Sequence, residues 1–260
     1  MRTRAMRARD YVDLELADRG ALVVGASGDI GRAVVARLGA EGARVAIAGR
    51  SRARMATMPK GAMDNVVGAI DVDLRDDASI MRAAAEAESL LEAVDVLVCS
   101  VASDAEFGAV WGASRADWES EMALKCIGTA RMCTEIAKQM VARGSGVIVN
   151  LIGIATDMVV TQNPLGGAAN AALRSFTRVL AAEVAGSGVR VIGVSPGMTA
   201  GGRLNRFAAE QLEAIRASIP LGAIGQPEEI ADVVVFMASP RASYITGAIL
   251  NVDGGLTLIR

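Results

Sequence analysis

The stretch Leu22-Val23-Val24-Gly25-Ala26-Ser27-Gly28-Asp29-Ile30-Gly31 decides the fold. A short β-branched run stops at a glycine-rich turn, and a helical period begins at once, with Ile30, Val34 and Leu38 on one face. Glycines in such a turn let backbone approach a ligand closely, and the unpaired N–H groups at the helix start attract an anion. The pattern predicts a dinucleotide cradle built from Gly25, Ser27, Gly28, Asp29, Ile30 and Gly31. A tight strand-to-helix turn with no ligand is the plainer alternative.

Working outward, the run Arg44–Ala48 reads as a second strand and is followed by Gly49, Arg50 and Ser51. A carboxylate at this strand end would hold an adenosine ribose and repel a 2′-phosphate. Arg50 instead offers a guanidinium that can grip such a phosphate in a fork. The expected cofactor is therefore NADP, with NAD as the alternative, and Arg50 and Ser51 join the site.

Further strands are expected at Ala21–Val24, Val66–Ile70, Asp95–Cys99, Val147–Leu151, Val189–Val194 and Ala248–Val252. Ala/Leu-rich helical segments separate them, the longest over Asp117–Arg143 and Gly167–Ala185. Seven strands alternating with helices imply an α/β fold, a Rossmann-type doubly wound parallel sheet with helices on both faces. No linker or repeat divides the 260 residues, so residues 13–260 are read as a single domain and 1–12 as a loose extension.

Composition narrows the function classes. The chain is 52% hydrophobic with a formal net charge of −2, which gives no reason to expect nucleic acid or an anionic membrane as partner. The basic start at Arg2, Arg4, Arg7 and Arg9 is followed by no apolar run, and three cysteines suggest a reducing, cytoplasmic setting. The chain contains no histidine, which excludes every mechanism that needs a histidine base, acid or metal ligand, and no metal site is expected. A small-molecule substrate is the expected partner.

From about Leu14 to Gly255 the order of motifs resembles the single-domain short-chain dehydrogenase/reductases. The resemblance rests on the glycine turn, on Asp71-Val72-Asp73-Leu74, on Val189 through Pro196-Gly197, on Gly225 through Ile230, and on Tyr244 through Gly255. It implies that Asp73 and Leu74 lie against an adenine. It also implies that Pro196, Gly197 and Thr199 face a nicotinamide, and that Cys99, Ser100 and Val101 keep a backbone role beside the cofactor. A homodimer or homotetramer through the two long helices follows by the same resemblance.

The residues on which that family's chemistry rests are different here. Lys125 stands at the family's asparagine, Gly153 at its serine, Gly166 at its tyrosine and Asn170 at its lysine. Lysine and asparagine have in effect exchanged places. Lys125 is one of three lysines and falls in a stripe with Trp118, Met122, Met132 and Ile136, an unusual place for a solvated charge. It is expected to reach the substrate or the nicotinamide ribose, with a lowered pKa and with Asn170 supplying a hydrogen bond. Surface snorkelling is the plainer alternative. Thr156, Asp157, Gln162 and Asn163 are weaker candidates for the substrate pocket, and Thr199–Ala217 is expected to cover it as a partly apolar lid.

These features lead to an NAD(P)-dependent oxidoreductase acting on a carbonyl or alcohol with a non-standard site. The alternative is an inactive homologue that binds dinucleotide as a structural or sensing subunit. A lyase or isomerase reusing the pocket is a third reading that no residue specifically favours.

Overall fold

The computed structural model describes residues 13–51, 55, 64–102, 108–202 and 204–258; the expected extension at 1–12 lies outside them. Seven strands form one parallel sheet: β1 (Gly20–Val24), β2 (Arg44–Gly49), β3 (Val66–Asp71), β4 (Val96–Cys99), β5 (Gly146–Leu151), β6 (Val189–Pro196) and β7 (Ile249–Val252). Their order is β3-β2-β1-β4-β5-β6-β7, and every neighbouring pair is parallel. The chain winds outward from β1 through β3, then crosses back to place β4 on the other edge of β1. The crevice beyond the carboxyl ends of β1 and β4 is thus the topological switch point, where ligands bind in open α/β sheets.

Helices cover both faces, which is why β1 and β4 in the middle of the sheet are continuous apolar runs. On one face, α1 (Asp29–Ala40) and α7 (Pro227–Ala238), which follows α6 (Ala209–Ser218), bury Val34, Val35, Leu38, Ile230, Val234 and Val235. On the other, α2 (Asp77–Leu91), α4 (Thr129–Arg143) and α5 (Pro164–Val184) bury Ile80, Met132, Ile136, Met140 and Leu180. The ends of these helices are legible in local chemistry. Asp76 accepts the Ala78 N–H at 3.0 Å to start α2, Pro164 and Pro227 open α5 and α7, and the left-handed Gly144 ends α4. Arg190 reaches from β6 and donates to the carbonyls of Met237 at 2.9 Å and Ser239 at 3.0 Å, closing the end of α7.

The long helix expected over Asp117–Arg143 differs from its expectation in one respect. It starts as α3 (Arg115–Glu121), capped by a reciprocal Ser114–Asp117 box, and then widens into a π-helical segment, Met122–Gly128, before continuing as α4. A π-helical turn inserts residues without an apolar signature of its own, so periodicity alone reads through it. Small offsets also appear at strand ends. Asp95 precedes β4, since its carboxylate takes the Gly20 N–H at 2.9 Å, and β6 runs on to Pro196.

Candidate functional site

Two cavities open at the switch point. The smaller, about 240 Å³, is lined by Gly25, Ser27, Gly28, Arg50, Ser51, Val72, Leu74 and Leu124 among others. The larger, about 360 Å³, has Lys125, Gly153, Asn163, Asn170 and the segment Pro196–Gly201 in its wall. They abut along Gly28 and Ser100–Ala102, which line both. The glycine turn, the second strand end and the β6 exit, three distant pieces of chain, therefore meet around two adjoining cavities.

Lys125 sits in the π-helical segment and is 5% exposed. Its Nζ donates to the backbone carbonyl of Leu151 at 2.8 Å and to that of Val101, bridging the ends of β5 and β4. A buried ammonium is tolerated only when hydrogen-bonded in this way. The snorkelling alternative is thereby overturned, because the side chain turns inward to the strand ends.

Asn170, 6% exposed, is one turn into α5 from Gly166. Its Oδ1 accepts the Gly153 N–H at 3.0 Å and its Nδ2 donates to the Gly166 carbonyl at 2.7 Å. The amide knits together the two glycine segments beside it while lining the same cavity as Lys125. It also fills the room that larger residues at Gly153 would need, since a Cβ there would lie 2.9 Å from Asn170 Nδ2.

Of the weaker candidates, only Asn163 lines the larger cavity. Asp157 instead pairs with Arg174, which also donates to Thr156 Oγ1 at 3.2 Å, and Gln162 stays off the wall. Leu74 borders the smaller cavity, whereas the Asp73 carboxylate is outside its lining and accepts the Arg75 N–H at 2.9 Å. Cys99 is 1% exposed and turns inward, its Sγ 3.9 Å from Cys133 Sγ. The hydrogen bond to Cys133, with burial, holds the Cys99 thiol well above its ordinary range, so it is an inert core residue. Ser100 and Val101 do line both cavities. Thr199 does so at the larger one, with its hydroxyl donating to the Gly197 carbonyl at 3.1 Å.

Asp29 is the residue whose arrangement was not foreseen. It is the first residue of α1, borders the larger cavity, and turns its carboxylate to Gly202, next to Gly201 of the same wall. Oδ2 accepts the Gly202 N–H at 2.8 Å and Oδ1 pairs with Arg32 at 2.6 Å. The Gly202 N–H, with help from Arg32, holds the carboxyl below the usual aspartate range. The ionised contact is therefore present at neutral pH and is lost only as pH falls through that lowered value. The expected lid begins here: Thr199 and Ala200 are pinned to Gly225 on one side, and Gly202 to Asp29 on the other.

Comparison with known proteins agrees with this architecture. The family model described as enoyl-(acyl carrier protein) reductase matches residues 25–257. Galactitol 2-dehydrogenase (L-tagatose-forming) of Cereibacter sphaeroides is 37% identical over 92% of this chain and 94% of its own. D-threitol dehydrogenase of Mycolicibacterium smegmatis is 32% identical over 98% and 99%. Among solved structures, one titled as a putative betaketoacyl-ACP reductase superposes with a TM-score of 0.83 at 37% identity, covering 94% of this chain and all of that one.

Proposed function

Since this chain belongs to the short-chain dehydrogenase/reductase family, we propose that it is an NAD(P)-dependent oxidoreductase that interconverts a carbonyl and an alcohol through a non-standard site centred on Lys125. The observation that carries the proposal is the Lys125 ammonium, buried at the ends of β4 and β5 in the wall of the larger cavity.

The residues present fit a dinucleotide at both of its ends. Arg50, Ser51 and Leu74 surround the smaller cavity, the right chemistry for an adenosine carrying a 2′-phosphate. Pro196, Gly197 and Thr199 offer the larger cavity a backbone edge and a hydroxyl for a carboxamide. The bound nicotinamide supplies the hydride donor or acceptor. Lys125 Nζ, held by two backbone carbonyls, donates its proton to a carbonyl oxygen in reduction and takes it back in oxidation. Asn170 acts as a positioning residue by fixing the Gly153 and Gly166 backbones beside Lys125.

Val101, Ile152, Ile154, Val160, Met198 and Leu204 make most of the remaining wall apolar. This favours a substrate with an apolar body over the polyols for which the galactitol and threitol enzymes are named.

Titration of the protein with NADPH and with NADH, followed by nicotinamide fluorescence, tests the cofactor assignment. Both should saturate, with NADPH tighter by about tenfold, the equivalent of one good charge-assisted contact. Arg50→Ser should bring the two affinities together by weakening NADPH alone. Saturation by neither nucleotide would end the oxidoreductase reading.

A further inference from the structure

Gly28 and Ser100–Ala102 form the seam between the two cavities, so a dinucleotide occupying both carries its diphosphate past Gly28 and the start of α1. The free N–H groups there favour an anion. The protein already supplies one. Asp29 places its carboxylate at this helix start, and the anion is tied to Gly202 at 2.8 Å.

The opposing strand of backbone is shaped for that contact. Gly201 has φ +137°, a conformation that disfavours side chains, and a Cβ on it would lie 2.2 Å from Asp29 Oδ2. Gly201 lets the segment lie directly on the carboxylate, so that the Gly202 N–H reaches it. An aspartate that only began the helix would not need a glycine at 201.

From this geometry, and resting on the dinucleotide reading above, we propose that Asp29 is a specificity-determining residue that competes with the diphosphate. Its carboxylate repels phosphate at the seam, and its tie to Gly202 holds it there. Ligands confined to one cavity escape this restriction.

Binding of two probes to the unvaried protein, Asp29→Asn and Asp29→Ala tests the proposal. NADPH spans the seam. Adenosine 2′-monophosphate carries the adenosine and the 2′-phosphate but no diphosphate. NADPH should bind both variants at least about tenfold tighter than the unvaried protein, while adenosine 2′-monophosphate changes by less than about twofold. Asp29→Asn keeps the shape of the side chain and isolates its charge, so the result does not depend on tolerance of the alanine. Amide exchange over 201–205 should quicken in Asp29→Ala, where Gly202 loses its acceptor.

Equal NADPH affinities in all three proteins would overturn the competition while leaving dinucleotide binding intact. An equal gain for both probes would overturn it as well, since the effect would not be tied to the diphosphate. Unchanged exchange would remove the tie to Gly202. No saturable NADPH binding in any of the three would overturn the dinucleotide reading and this inference together.

Discussion

Lys125→Met is expected to lower turnover on a ketone panel by about 10²–10⁴-fold, the contribution of a positioned general acid. Methionine roughly matches the length of the lysine stem and its preference for an apolar surrounding, but it has no proton to give. Two opposing effects on stability accompany the change. The carbonyls of Val101 and Leu151 lose a donor, at about 1–3 kcal/mol for each one left unsatisfied. Removing a buried charge offsets part of that cost. The variant should therefore still fold, and turnover per folded molecule, measured beside a thermal melt, is the informative quantity. If Lys125 only ties β4 to β5, the melt will move and turnover per folded molecule will not. If it is the acid, turnover per folded molecule will collapse.

A second large effect is expected at Gly128, where the π-helical segment ends against the loop after β3. A Cβ there would lie 2.0 Å from the Leu74 carbonyl oxygen and 2.7 Å from Leu74 Cβ. The first of these is a backbone atom, which cannot swing aside as a side-chain tip can. Gly128→Ala should destabilise the protein by about 3 kcal/mol, as overpacking in a well-filled interior does, and lower the melting temperature by roughly 6–12 °C. Leu74 also borders the smaller cavity, so the same variant should weaken NADPH binding even at temperatures where it stays folded. A melt unchanged to within a degree would mean that the loop carrying Leu74 moves freely, contrary to this packing.

The sheet was the most legible part of the chain. Runs such as Ala21–Val24 and Val96–Cys99 are apolar throughout because both of their faces are buried, and a parallel sheet leaves that mark in any single strand. The burial of Lys125 could be anticipated because its neighbours at helical spacing are apolar. The π-helical turn that carries it could not, because it reflects packing against other elements.

Side-chain direction was the other obscure quantity. Cys99 and Ser100 are adjacent at one strand end, yet alternation sends the cysteine into the core and leaves the serine on the cavity wall. Asp73 and Leu74, in the loop after β3, also separate, the leucine to the cavity and the aspartate away from it. Asp29 was legible as part of the turn but not as a tie, since its partner Gly202 lies 173 positions away. Gly201 was the signal for it, and with Gly202 it reads equally well as part of a lid.

That separation has a consequence for synthesis on the ribosome. β1 and α1 emerge first, and the partner of Asp29 follows 173 residues later, on the order of ten seconds or more at ordinary elongation rates. During that interval the nascent chain carries its glycine turn without the strap that later crosses it. A nucleotide present in the cell meets the start of α1 before Gly202 exists. The growing protein and the finished one therefore offer the same ligand different terms of entry.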